Sequence, residues 1–141
     1  MNDAPVIVAG GLSDSHTWNL VFLQLLLEEH GHRVVNLGPC VPEELLISEA
    51  LAQRPALIVM SSVNGHGYQD GMRMITRLRD HPELGELPVV IGGKLGISGT
   101  RSAVEAANLK NAGYDAVFDD SAEGIGAFSR MLDALPQRAL V

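Results

Sequence analysis

Asp14 and His16 are the residues whose types and spacing point most directly to chemistry. They stand two positions apart in a polar segment that follows an apolar run, Pro5–Gly10. At this spacing a carboxylate can hold one imidazole nitrogen while the other faces a metal, which fixes the tautomer and strengthens the ligand. Alternatively, Asp14 caps a following helix and His16 lies on the surface. The pair alone leaves both interpretations open.

The elements that would position this pair follow from the apolar pattern. Short runs rich in Val and Ile alternate with helical patterns, which predicts five strand–helix units. The predicted strands are Pro5–Gly10, Arg33–Leu37, Ala56–Ser61, Val89–Gly92 and Ala116–Phe118, and the predicted helices are Trp18–His30, Glu43–Gln53, Gln69–Asp80, Ala103–Ala112 and Ala122–Leu135. This order predicts an α/β fold: a doubly wound, five-stranded parallel sheet of flavodoxin-like (Rossmann-like) type, with strand order 2-1-3-4-5.

The first predicted helix is apolar on more than one face. The residues predicted to face the sheet are Trp18, Val21, Phe22, Leu25 and Leu26, which follow helical spacing. Leu20, Leu23 and Leu27 lie off that stripe, which indicates either a partner interface or deep burial of the helix.

Glycine and serine are concentrated in the segments that follow predicted strands one, three and four. These segments are Gly10–Asn19, Ser61–Gly67 and Gly92–Gly99. Ligands of open α/β sheets bind outside the carboxyl ends of the strands where the strand order reverses, here between strands one and three. Small residues let a large flat ligand approach the backbone, so we expect the three segments to line one crevice.

The same segments resemble the motifs of the cobalamin-binding domain family, Asp-x-His-x-x-Gly, Ser-x-Leu and Gly-Gly, at similar spacing. The matching residues are Asp14-Ser-His16-Thr-Trp-Asn19, Ser61-Ser-Val63 and Gly92-Gly93. The resemblance covers nearly the whole chain. It is greatest to the small subunits of glutamate (methylaspartate) mutases, and Gly65-x-Gly67 and the Val-Val-Asn-Leu-Gly strand ending at Gly38 add to it. Asn19 in place of the motif's glycine, and Val63 in place of its leucine, are the departures.

The resemblance implies a role for each matching residue. His16 would replace the cofactor's dimethylbenzimidazole as the lower cobalt ligand, with Asp14 hydrogen-bonded to it. The nucleotide tail would descend between strands one and three, where Ser61 would hydrogen-bond its base and Gly92 and Gly93 would leave room. The other cofactor-binding residues expected are Ser13, Ser15, Thr17, Ser62, Val63, Lys94, Leu95, Gly96 and Ile97. Asn19 would either narrow the slot or hydrogen-bond the tail.

The resemblance further implies adenosylcobalamin as the cofactor and no catalytic residue on this chain. A large barrel-type mutase subunit would hold the small-molecule acid, with glutamate converted to 3-methylaspartate or a related acid rearranged. Two alternatives stay open. One is a corrinoid carrier for methyl transfer, which usually brings a preceding helical bundle that we do not expect here. The other is a non-catalytic B12-binding or sensing module, which Asn19 favours.

Composition limits the other functions. The 141 residues are expected to form a single domain, 1–141, and the net charge of −7 argues against nucleic-acid and membrane partners. A lone cysteine and the lack of an export signal favour a cytoplasmic location. A phospho-receiver domain would need an aspartate where Ser61 ends predicted strand three, and the Gly-x-Gly-x-x-Gly of dinucleotide binders is absent.

Overall fold

The computed structural model describes residues 4–11, 18–62, 67–93, 100–118 and 122–134. Within these ranges strands and helices alternate along the chain. The strands are β1 (Val6–Gly10), β2 (Val34–Asn36), β3 (Leu57–Ser62), β4 (Val89–Gly93) and β5 (Ala116–Phe118). The helices are α1 (Trp18–Glu29), α2 (Glu43–Gln53), α3 (Gly67–Asp80), α4 (Thr100–Ala112) and α5 (Ala122–Ala134), with a short 3-10 helix at Pro82–Leu84. Each described helix is too short or too polar to span a lipid bilayer.

The strands form one parallel sheet in the order β2-β1-β3-β4-β5, which confirms the predicted fold. Every residue of β1 is buried, as expected for a central parallel strand with helices on both faces. The neighbours β3 and β4 follow β1 on the side away from β2, so the strand order reverses between β1 and β3.

The two faces of the sheet support separate apolar clusters. Ile7 and Ala9 pack with residues of α2, α3 and α4, whereas Val6 and Val8 pack with residues of α1 and α5. This division follows from the alternation of side chains along a strand. Any residue on a strand can therefore be assigned to the α2–α4 face or to the α1/α5 face by its register alone.

The predicted orientation of α1 is wrong for three of its residues. Val21, Phe22 and Leu25 were expected against the sheet but are 42%, 50% and 57% exposed, whereas Leu20 and Leu27 are buried. Leu26 packs partly against the α1/α5 cluster, as Leu23 does. Seven of the eight residues from Leu20 to Leu27 are apolar, so the periodicity does not mark one face. The stripe of Leu20, Leu23 and Leu27 reflects burial rather than a partner interface.

Two helices begin earlier than the sequence predicts. The first residue of α3 is Gly67 rather than Gln69, and that of α4 is Thr100 rather than Ala103. Glycine and threonine are weak helix formers, so the pattern gives no sign of the first turn. The consequence is that both helices reach closer to the carboxyl edge of the sheet.

The amino edge of the sheet is tied together by one side chain. The guanidinium of Arg79, at the end of α3, donates hydrogen bonds to the carbonyl oxygens of Leu84, Gly85, Leu87 and Gly113 at 2.7–3.2 Å. It also pairs with Asp115, whose carboxylate accepts from the Val89 backbone N–H at 2.8 Å. This set, the Arg79 clamp, fixes the starts of β4 and β5 to the end of α3.

Tyr114, which lies between α4 and β5, joins this part of the chain to α3. Its buried hydroxyl donates to the carbonyl oxygen of Gly71 at 2.7 Å. A Cβ atom on Gly71 would lie 2.7 Å from Cδ1 of Ile91, so glycine is required for α3 to pack this closely on β4. Burial raises the pKa of the Tyr114 hydroxyl well above its ordinary value, and the charge of Arg79 opposes that shift.

Candidate functional site

Two of the three predicted motifs meet at the carboxyl edge of the sheet. Ser61 and Ser62 end β3, Gly92 and Gly93 end β4, and the pairing register places Ser61 opposite Gly92 and Ser62 opposite Gly93. The structure therefore brings the serine motif and the glycine motif side by side, although the side chain of Ser62 is not described.

The remaining predicted site residues fall outside the described ranges. These are Ser13, Asp14, Ser15, His16, Thr17, Val63, Lys94, Leu95, Gly96 and Ile97. Asn19 belongs to α1, but its side chain is not described. The assignment of His16 as a metal ligand stays a prediction, and the described part of the site consists of the strand ends that flank its segment.

Four paired residues form a row across the carboxyl edge of the sheet. Gly10 pairs with Ser61, Ser61 with Gly92, and Gly92 with Phe118. Side chains alternate along each strand, and Val8, Val59 and Val90 of the same strands pack into the α1/α5 cluster. Residues two positions further along project to the same face. The whole row therefore lies on the α1/α5 face.

The row beneath it has the opposite size pattern. Val8, Val59, Val90 and Ala116 pair in the same register, two residues nearer the amino edge. Where the lower row has three valines, the row at the carboxyl edge has glycine, serine and glycine on the same strands. On β5 the lower row has alanine and the upper row phenylalanine. The layer of side chains thus loses volume over β1, β3 and β4. We call the positions Gly10, Ser61 and Gly92 the notch.

Gly92 has a second reason to be glycine. A Cβ atom there would lie 3.3 Å from the carbonyl oxygen of Phe118 and 3.5 Å from its Cβ atom. The first distance is tighter than an ordinary contact, so a side chain would press against the paired strand β5. Glycine at this position both opens the notch and allows β4 and β5 to pair closely.

Ser61 supplies the one polar side chain of the four-residue row. The residue is only 3% exposed. A hydroxyl beside apolar walls suits a ligand that has one hydrogen-bonding group on an otherwise apolar ring, because a hydroxyl can both donate and accept a hydrogen bond. The position agrees with the expectation that Ser61 hydrogen-bonds a base, and its contact with a ligand stays a prediction.

The start of the segment that carries Asp14 and His16 is held by its neighbours. The Gly10 N–H donates to the Gly38 carbonyl oxygen at 3.0 Å, and the Gly11 N–H donates to that of Ser61 at 3.3 Å. On the α3 side, a Cβ atom on Gly11 would lie 3.3 Å from Oδ2 of Asp70. The chain therefore leaves β1 in a fixed direction, between β2 and β3.

The sequence interpretation missed two residues at this edge, Phe118 and Asp70. Phe118 was assigned only to a strand, because its place in the row depends on a pairing register that the sequence does not show. Asp70 is distant in sequence from Gly11, and no motif links them. The consecutive glycines Gly10 and Gly11 are the sequence feature that could have indicated a close approach of another element to the backbone at this point.

These residues fit the tail of a cobalamin cofactor. The notch is a place that a larger side chain would fill, it lies where the strand order reverses, and it combines apolar walls with one hydroxyl. A flat aromatic base with few polar atoms matches this chemistry. The described residues of the notch would hold the base, and the cobalt would depend on residues of the 12–17 segment.

Comparison with known proteins agrees with this fit. A family model described as the B12 binding domain matches residues 4–128. The glutamate mutase sigma subunit of Escherichia coli is 30% identical to this chain over 121 residues, which is 86% of this chain and 80% of that protein. The residues matched by the family model include the motif segments and the notch positions.

Solved structures show the fold. The monomethylamine corrinoid protein of Methanosarcina barkeri superposes with a TM-score of 0.71 at 18% identity, covering 92% of this chain. This chain spans only 58% of that protein's length. A chemotaxis response regulator of Vibrio cholerae superposes with a TM-score of 0.64 at 13% identity, covering 91% of this chain and 98% of that one. Identities this low establish the shared fold and leave function to the site residues.

Proposed function

The chain belongs to the B12-binding domain family, and from this premise we propose that it is the cobalamin-binding small subunit of an adenosylcobalamin-dependent carbon-skeleton mutase. The observation that carries the proposal is the notch at Gly10, Ser61 and Gly92, which adjoins the segment bearing Asp14 and His16. The similarity to the glutamate mutase sigma subunit supports glutamate, or a related acid, as the substrate.

The residues of this chain would bind and orient the cofactor. His16 would ligate the cobalt, and Asp14 would accept a hydrogen bond from its imidazole, so that the ligating nitrogen carries no proton. Ser61 would hydrogen-bond the base of the tail, and the glycines of the notch would leave space for its ring. When bound, adenosylcobalamin supplies the radical chemistry that a carbon-skeleton rearrangement needs.

A partner subunit would complete the active site. None of the described residues of the notch is cationic, and Arg73 and Arg77 pair with Glu43 on the α2–α3 surface, on the other face of the sheet. An acid substrate needs cationic groups near the reacting atoms. We therefore assign substrate binding to a large barrel-type subunit that covers the carboxyl edge.

A corrinoid carrier for methyl transfer is the second candidate, since a monomethylamine corrinoid protein shares the fold. The mutase is favoured because identity to the glutamate mutase sigma subunit is higher and extends over most of both chains. A receiver function is disfavoured, since Ser61 and Ser62 stand at the end of β3, where a receiver needs an aspartate.

Reconstitution tests the proposal. The purified chain is mixed with adenosylcobalamin, L-glutamate and the large subunit of a glutamate mutase, and 3-methylaspartate is measured by proton NMR. We expect turnover only with both subunits, and at least about a 100-fold loss in His16→Ala. His81→Ala is the control, since His81 lies next to the 3-10 helix, and it should retain activity. Methyl transfer from methylcobalamin to a thiol without isomerisation would instead identify a carrier, and cobalamin binding without either reaction a sensing module.

A further inference from the structure

Phe118 stands at the end of the row that contains the notch. It pairs with Gly92 across β4 and β5, it is half-buried, and it packs partly against the α1/α5 cluster. The three positions before it in the row carry almost no side chain. Phe118 therefore forms the wall at which the notch ends on the β5 side.

The ring of Phe118 is held by α5. It meets the ring of Phe128 edge to face, with ring centroids 5.4 Å apart and an interplanar angle of 67°. Phe128 is itself only 5% exposed. An edge-to-face contact with a buried ring favours this orientation of the Phe118 ring.

A flat ring placed over the notch would meet apolar surroundings. Val8, Val59 and Val90 lie beneath it, all nearly fully buried, and Phe118 lies at its end. Of the described residues that form these walls, Ser61 alone has a polar side chain. Apolar walls favour ring substituents such as methyl groups, and they penalise an amino group or extra ring nitrogens that would be buried without partners.

We propose that Phe118 is a specificity-determining residue for the lower base of the cofactor, favouring dimethylbenzimidazole over adenine. The inference rests on the proposed function, since it assumes that the base occupies the notch. Phe118 would pack against the methyl-bearing edge of the base, where an adenine base has a ring nitrogen next to its amino group instead of two methyl groups. The chain thereby selects cobalamin over cobamides that carry purine bases.

The test compares the affinities of three corrinoids for the full-length chain, by isothermal titration calorimetry. They are cobalamin, the cobamide with an adenine base, and cobinamide, which has no base. We expect the parent chain to bind cobalamin at least about 10-fold more tightly than the adenine form. In Phe118→Ala that ratio falls toward one because cobalamin binding weakens, while cobinamide binding is unchanged.

Matched variants separate this role from a general effect on folding. Phe22→Ala removes the same ring from the exposed side of α1 and should leave the affinity ratio as in the parent. Phe118→Leu keeps apolar volume without the ring and should give an intermediate affinity ratio. If Phe118→Ala does not fold, this variant tests the role of Phe118 in its place. An unchanged ratio in the Phe118 variants, or an equal loss for all three corrinoids, would overturn the inference. If the parent binds no corrinoid, the proposed function itself fails; if it binds them without preference, only the role of Phe118 fails.

Discussion

The amino edge of the sheet adds a cluster of side-chain hydrogen bonds to its backbone bonds, whereas the carboxyl end of β1 is held through backbone N–H groups. At the amino edge the Arg79 clamp connects α3 with the starts of β4 and β5 through charged hydrogen bonds. At the carboxyl edge Gly10 and Gly11 are fixed through their N–H groups to Gly38 and Ser61. There the side chains of three strands shrink to glycine and serine.

The difference separates stability from binding. Side-chain interactions at the amino edge hold the elements together without occupying the edge at which parallel sheets bind ligands. Small residues at the carboxyl edge contribute little burial of their own, since glycine and serine remove little apolar area from water. Substitutions at the two edges should therefore change different measured quantities.

The largest expected effect is on stability at the amino edge. Arg79→Ala removes the donors of four carbonyl oxygens and the partner of Asp115, and should lower the free energy of unfolding by about 3 kcal/mol. Urea unfolding measures this change. Arg54→Ala, which loses an exposed ion pair with Glu83, is the control and should cost less than about 1 kcal/mol. An equally large loss of cobalamin affinity in folded Arg79→Ala would contradict the separation of the two edges.

The next effect is on binding at the carboxyl edge. Ser61→Val places a valine side chain in the notch, two positions after Val59 on the same face of β3. It should weaken cobalamin binding by roughly 10- to 100-fold, because this side chain would occupy the place of the base. The free energy of unfolding should change by less than about 1 kcal/mol, since valine suits a buried strand. Absorbance titration measures the affinity, and Ser48→Val on the exposed surface of α2 is the control. Parent-like affinity in Ser61→Val would remove the notch from the binding site.

The smallest expected effect is a pH dependence of the free energy of unfolding that comes from Tyr114. Burial raises its pKa in the folded chain, so above pH 10 the unfolded chain loses the phenol proton first. The buried, protonated Tyr114 hydroxyl therefore contributes its full stabilisation below about pH 10. Above that pH the contribution is lost, and the free energy of unfolding falls by at most about 1.4 kcal/mol per pH unit.

Tyr114→Phe tests this dependence. At pH 7 it should cost about 1 kcal/mol through the lost hydrogen bond to Gly71, and its stability should fall less steeply than the parent's above pH 10. Urea unfolding at pH 7 and at pH 11 gives both quantities. Identical alkaline losses in the two proteins would show that Tyr114 is not the group responsible.

The sequence predicted the sheet because its strands are short, apolar and separated by helical patterns. The strand order followed from the rules of parallel sheets, and the structure confirms it. The orientation of α1 was not predictable, since apolar residues surround it. Only packing shows that Leu20 and Leu27 are buried while Phe22 and Leu25 are not.

The candidate site was predictable in part. Ser61 and Gly92 could be placed at neighbouring strand ends from motif and topology alone. That they share one row with Gly10 and Phe118 depends on hydrogen-bond register, which shifts by single residues without changing the sequence pattern. Contacts such as that between Gly11 and Asp70 depend on how closely α3 packs, and no local pattern encodes that distance.

The measurement that tests the central claim most directly is the electron paramagnetic resonance spectrum of Co(II) cobalamin bound to the chain. If His16 is the lower ligand, the cobalt lines carry nitrogen splitting from a histidine. Labelling the protein's histidines with nitrogen-15 then changes each triplet to a doublet, and His16→Ala loses this splitting while His81→Ala keeps it. A splitting that ignores the histidine label, or that persists unchanged in His16→Ala, would contradict the account.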